Sequence, residues 1–273
     1  MHTSRFSGQG VRVAVLDTGI DLDHPDFQGR EIVTQSFING QTVQDGHGHG
    51  THCIGTACGP KLPASGIRRY GVAFGATIYA GKVLGSSTGG NGPIVAGIEW
   101  ALANGCQVIS LSISVTGDVQ IDQYNVPIRR ALEAGSLVVA AAGNNADRAT
   151  GHFGFVGSPA NAPEAMAVAA LDNRLAMYNK SARSSTRTGE AGKINISGPG
   201  VGVFSTYPVA RGTHRFWDGT SMATPHVAGI AALWIEARRK TGADLWRLLL
   251  EESLPFQGAQ VLDVGSGMVQ APQ

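Results

Sequence analysis

Charge is scarce in this chain, and so is cysteine. Only 15% of its 273 residues are charged, 21 Lys and Arg against 20 Asp and Glu, for a formal net charge of +1. No Lys/Arg run builds the basic stripe that nucleic acid demands, so a nucleic-acid partner is excluded. No apolar stretch reaches the length of a membrane span, which excludes a membrane partner. Low net charge combined with 42% hydrophobic residues excludes a disordered chain. Three cysteines, Cys53, Cys58 and Cys106, do not make a disulfide framework, and an odd count leaves at least one thiol free. Cys53 and Cys58 lie five apart, on different faces of a helix, which argues against a bridge between them. The opening residues MHTSRFSG lack the apolar core of a signal peptide, as a processed mature chain would. What is abundant is glycine, at 38 residues, about twice the ordinary share. The length fits one domain, residues 1–273, with a sizeable core.

Apolar runs alternate with helical patterns. Residues 11–16 (VRVAVL), 76–84, 107–115, 137–142 and 164–171 are rich in Val, Ile and Ala and mostly do not alternate. Continuous apolar strands of this length suit a parallel sheet covered on both faces. Between them, 94–103 and 126–134 read as helices that end at glycine. Residues 221–239 form the longest helical pattern, and 243–251 the last, with Leu245, Leu248 and Leu249 at helical spacing. The order predicts an α/β domain with right-handed crossovers. The polar stretch 179–193 reads as a surface loop.

Four motifs carry chemistry. Asp17, in VLDTG, closes a buried strand at the edge where open α/β sheets hold ligands, although an Asp before Thr-Gly also suits a plain turn. The segment Asp45-Gly-His47-Gly-His49-Gly-Thr-His52-Cys53 leads into a helix and reads in three ways. The histidines and Cys53 are competent metal ligands, one histidine is a base held at a helix start, or the glycines make a structural turn. Asn144 follows the strand 137–142, and Gly-Asn is also common loop chemistry. Ser221 opens the long helix in GTSMATPHVAG, either as an N-cap or as a nucleophile aided by the helix dipole and by its own N–H. Pro225 falls near the helix start, where N–H groups lack intrahelical acceptors.

The order Asp17, His49, Asn144, Ser221, with these flanking residues, resembles the subtilase family of serine endopeptidases, over about residues 10–251. The sequence His-Gly-Thr-His-Cys at 49–53 is similar to the proteinase K-like branch, in which a free Cys packs beneath the active site. The resemblance implies a subtilisin-like three-layer α/β domain with a central, mostly parallel sheet and helices on both faces. It implies Ser221 as nucleophile, His49 as general base and acid, Asp17 as the residue that orients His49, and Asn144 with the Ser221 N–H as oxyanion donors. His52 and His226 match supporting positions. Ser112, Ile113 and Ser114 match the strand that pairs with extended substrate. Ala141, Ala142 and Gly143 match one wall of the pocket for the residue before the cut, and Gly157 its base, with Pro159 a cis proline. These small, uncharged walls imply a preference for large apolar residues. Ser114 and Val115 stand where the family usually has glycines, an exchange expected to narrow the upper subsites.

No cofactor for catalysis is implied, but structural calcium is. Asp26 matches a calcium-ligand position, whereas the loop 59–71 lacks an Asn-rich ligand pattern and carries Arg68 and Arg69, so the tight site is expected to be absent. Expected partners are peptide or protein substrates and a propeptide acting as chaperone and inhibitor; the chain is expected to be a monomer. Low charge and high glycine point to a secreted protein. Two other classes stay open: a transpeptidase or macrocyclase, in which an amine replaces water, and an inactive peptide-binding pseudoprotease. An unrelated esterase is disfavoured, because Ser221 lies in Gly-Thr-Ser-Met-Ala and the triad order differs.

Overall fold

The computed structural model describes residues 4–64, 66–85, 90–115, 121–184 and 192–273. Seven strands form one sheet: β1 (Arg12–Asp17), β2 (Ile32–Ser36), β3 (Thr77–Lys82), β4 (Val108–Leu111), β5 (Leu137–Ala141), β6 (Met166–Leu171) and β7 (Ile196–Pro199). Their order is β2-β3-β1-β4-β5-β6-β7, and every neighbouring pair is parallel. A short antiparallel hairpin, β8 (Val203–Thr206) and β9 (His214–Trp217), stands apart from it.

Helices cover both faces because the strands are apolar on both. Val13 and Val15 of β1 pack into one core with Cys53, Ile54 and Ala57 of α1 (His49–Cys58). The same core takes in α4 (Thr220–Arg238) and Leu245 and Leu249 of α5 (Gly242–Glu251). Ala14 and Leu16 point the other way. They join Ile94, Ile98 and Ala101 of α2 (Asn91–Ala103) and Ile128 and Ala131 of α3 (Asn125–Glu133). A last short helix, α6 (Val261–Val264), follows. The N-terminal arm is tied to α4 by Glu236, whose Oε2 accepts the backbone N–H groups of Ser7, Gly8 and Gln9 at 2.7, 2.6 and 3.1 Å.

The five strands expected from apolar runs are all present, most of them shorter. β2, β7 and the hairpin escape sequence reading: β2 is a half-buried edge strand, β7 ends in Gly-Pro, and β8 and β9 are four residues each. The stretch 179–193 is not wholly a surface loop, since Ser181 and Ala182 are buried and the Ala182 N–H donates to Gly143 O at 3.0 Å. Residues 185–191 of that stretch lie outside the described residues. All three cysteines are free and buried.

Candidate active site

Strand order reverses at β1, which lies between β3 on one side and β4 on the other, and open α/β sheets hold ligands at such a switch point. Asp17 is the last residue of β1 and is fully buried. His49 opens α1, and its Nδ1 lies 2.7 Å from Asp17 Oδ1. With Asp17 as acceptor, Nδ1 carries the proton and Nε2 is the basic nitrogen of the neutral ring. Burial opposes the imidazolium, but Asp17 and the neighbouring Cys53 together outweigh burial, so His49 titrates well above its ordinary value. Asp17 Oδ2 is buried with no hydrogen-bond partner, an anionic oxygen that favours positive charge on the ring.

The glycines around His49 have steric reasons. Gly48 caps α1 with φ of 99°, and a Cβ there would lie 2.2 Å from the Tyr207 ring. A Cβ on Gly50 would lie 2.3 Å from the Gly19 carbonyl oxygen, so only glycine lets α1 approach the end of β1. Asp45 serves the first turn as a cap would: its oxygens accept from the N–H groups of His47, Gly48 and Thr51 at 3.0, 2.8 and 2.9 Å. Trp217 and His49 make a T-shaped pair with centroids 5.4 Å apart, and Trp217 stacks on His47.

Ser221 is the second residue of α4, whose cap Gly219 has φ of 148°. Its N–H belongs to the first turn, where no intrahelical acceptor exists. Asn144 follows β5 and is oriented by Thr220: its Oδ1 accepts the Thr220 N–H at 3.0 Å and the Thr220 hydroxyl at 3.2 Å. That consumes the amide oxygen and leaves the NH₂ to donate elsewhere. Pro225 is the sixth residue of α4, not part of an orphan first turn as the sequence reading had it. Its missing N–H frees the Ser221 carbonyl, which accepts the Ser112 hydroxyl at 2.8 Å and the Cys53 thiol at 3.5 Å. In return the Ser221 hydroxyl donates to the Ser112 carbonyl at 3.2 Å.

His52 and His226 are held by backbone carbonyls. His52 Nε2 faces the Val203 and Arg215 carbonyls, both at 3.1 Å, and burial pushes its pKa down to about 4. His226 Nδ1 donates to Met222 O at 2.8 Å, and burial lowers its pKa as well. Cys53 lies under His49, 3.9 Å from its Nδ1, and burial raises its pKa, which keeps the thiol protonated.

Ser112, Ile113 and Ser114 run on from β4 without regular partners in the sheet, while Val115 N donates to Ser158 O at 2.8 Å. Ala141 and Ala142 are sealed in the core, so they offer backbone and not side chains to the space beside them. The Ser158–Pro159 peptide is cis. Ser114 stands close to Gly143 and Gly157. A Cβ on Gly143 would lie 2.9 Å from its Oγ, and one on Gly157 only 2.3 Å, so the hydroxyl stands between those two glycines.

Both oxygens of Asp26 are taken by protein donors. Its Oδ1 accepts the Ala64 N–H at 2.7 Å, and its Oδ2 accepts the Tyr70 hydroxyl at 2.7 Å and is 3.0 Å from His214 Nε2. Nearby carbonyls face guanidinium groups: Arg30 donates to Cys58 O and Ala76 O, Arg69 to Gly71 O and Val72 O. Calcium needs six to eight oxygens, and these already hold protein donors, so the residues around Asp26 do not fit the ion.

The profile described as the subtilase family matches residues 8–263. The chain belongs to the subtilase family. It is 43% identical to Subtilisin Savinase of Lederbergia lenta over 273 residues, covering 99% of this chain and 92% of that one. Subtilisin E of Bacillus subtilis (strain 168) is 38% identical over 236 residues, 85% of this chain, and the match spans 57% of the length of that relative. Among solved structures, Sphericase superposes with a TM-score of 0.82 at 32% identity, covering 99% of this chain and 94% of its own. The S41 psychrophilic protease gives 0.82 at 31% identity, covering 97% and 93%. The similarity to the proteinase K-like branch rests on residues 49–53 alone. Asp45, Thr18, Lys82 and Trp217 form part of this subtilase site without having been assigned a role from sequence. A signal existed for Lys82, a cation inside the apolar run 76–84.

Proposed function

We propose that this subtilase is a serine endopeptidase acting through an acyl-enzyme. The observation that carries the reading is the 2.7 Å contact between His49 Nδ1 and Asp17 Oδ1, which leaves Nε2 unprotonated and able to act as a base toward Ser221. The Ser221 hydroxyl, resting on the Ser112 carbonyl, turns about χ1 toward Nε2 when substrate arrives; catalytic hydrogen bonds often tighten only in the complex. Ser221 Oγ attacks the scissile carbonyl as His49 takes its proton. The oxyanion accepts from the Ser221 N–H and the Asn144 NH₂. His49 then protonates the leaving amine, and water releases the acyl group by the reverse roles. Residues 112–114 offer the backbone that pairs with extended substrate, a reading supported by their place beyond the sheet. A fluorophosphonate probe is expected to label Ser221, with casein hydrolysed. Ser221→Ala should abolish both. Absence of labelling overturns the reading, and amine-ligated products with little hydrolysis would favour a transpeptidase instead.

The pocket before the cut is bounded by the Ala141–Gly143 backbone and by Gly157, with no charged side chain among these residues. We infer an apolar preference there, with its size limited by Ser114, whose hydroxyl stands between Gly143 and Gly157. This departs from the large side chains expected from sequence. In a peptide series with Ala, Leu or Phe before the cut, Ser114→Gly should raise kcat/KM for Phe relative to Ala about tenfold. An unchanged ratio removes Ser114 from specificity. The protein is further proposed to be a secreted monomer acting on peptides or proteins, made with a propeptide, and to need no calcium at Asp26. Its low charge supports secretion, and the occupied Asp26 oxygens support the last point. No helix among the described residues is long and apolar enough to cross a membrane.

A further inference from the structure

Lys82 ends β3, and the parallel register sets it opposite Asp17. It is 4% exposed, where a lysine is rarely found without partners. Its Nζ donates to the Thr18 carbonyl at 2.6 Å and the Gln44 carbonyl at 3.4 Å, neither of them charged. The charges that hold it are two buried carboxylates, Asp17 at 0% and Asp45 at 2% exposure. Burial lowers the Lys82 pKa, and both carboxylates act against that.

Thr18 joins all of these groups. Its N–H donates to Asp17 Oδ1 at 2.7 Å and its hydroxyl to Asp45 Oδ1 at 2.9 Å, while its Oγ1 accepts the Gly50 N–H at 2.8 Å. The turn that aligns Asp17 with His49 is therefore fixed at its carbonyl by Lys82 and at its side chain by Asp45. With His49 neutral, two buried carboxylates face one ammonium, and the imidazolium completes the balance.

We propose that Lys82 is a positioning residue for the triad, one that pins the Thr18 turn and offsets one of the two buried carboxylates. It thereby holds the basicity of His49 below what Asp17 and Asp45 alone would impose. The other groups facing His49 are Cys53 and His52 on its own helix, His47 on the preceding turn and Trp217 on β9, with Arg215 of β9 over the Trp217 ring and Ser221 of α4 linked to the Cys53 thiol through its carbonyl. The catalytic meaning rests on the peptidase reading, but the electrostatic claim does not.

The test is a ¹⁵N titration of the His49 imidazole in the Ser221→Ala protein. Adding Lys82→Met should raise the midpoint by about 0.5–1 unit, on the order of what one nearby charge exerts at an effective dielectric near 20. Lys82→Arg should return it to the parent value. Asp45→Asn, tested separately in case Lys82→Met does not fold, should lower the midpoint by a similar amount. A midpoint unmoved or moved the other way in either folded charge-removing variant overturns the proposal. With Ser221 intact, the acid limb of kcat/KM should follow the Lys82→Met shift. If the midpoint moves and no peptidase activity exists, it is the functional reading that fails.

Discussion

Thr220 spends its N–H and its hydroxyl on one atom, Asn144 Oδ1, and so decides which end of that amide is left to donate. An aspartate could not replace Asn144, since it has no hydrogen to give. Asn144→Leu is expected to lower kcat by about 10²–10³-fold with little change in KM, because the donor acts on the transition state. Steady-state kinetics check this, and an equal rise in KM with kcat unchanged would move Asn144 from oxyanion donor to substrate binder. Asp17, His49, Asn144 and Ser221 were legible from sequence because each sits in a motif whose glycines leave few alternatives. Ser114 was legible only as a departure. Its effect depends on Gly143 and Gly157, some 30 and 40 residues further along the chain, and no local pattern shows that.

Elements bring these residues together through their ends. β1 supplies Asp17 at its C-terminus, α1 supplies His49 at its N-terminus, and α4 supplies Ser221 one residue into its first turn. Strand C-termini and helix N-termini meet at one edge in a parallel α/β sheet, and the same edge exposes the unpaired N–H groups that an oxyanion needs. Position in α4 gives Pro225 a use that composition does not reveal, freeing the Ser221 carbonyl for Ser112. The arm before β1 depends on α4 as well. Glu236→Ala removes the acceptor of three N–H groups and is expected to cost about 2 kcal/mol. Denaturant unfolding measures the loss, and limited proteolysis should then cut near residues 4–9. A variant as stable and as resistant as its parent would show that the clasp contributes nothing.

Titration behaviour belongs to the molecule as a whole. Burial lowers the pKa of His24, His52 and His226, with His52 at about 4. These rings are neutral in the fold and protonate in the unfolded chain below their ordinary 6.5, so stability falls as pH drops from 6.5 toward 4. His52 alone accounts for a change on the order of 3 kcal/mol across that window. His49 has the opposite sign, but its contribution is fully present below 6.5 and does not alter the trend. Thermal melts should show Tm falling between pH 6.5 and 4, and a flat profile would contradict the burial of these rings.

Sequence by itself determined the alternation of strands and helices and the four motifs. Apolar periodicity and glycine placement are local properties, readable without neighbours. Only the tertiary structure decided that Asp26 is held by Tyr70, Ala64 and His214, that the Ser114 hydroxyl lies against Gly143 and Gly157, and that Lys82 stands against Asp17 and Asp45. Each of those depends on packing between segments distant in the chain, where sterics, burial and charge act through space and not along the sequence.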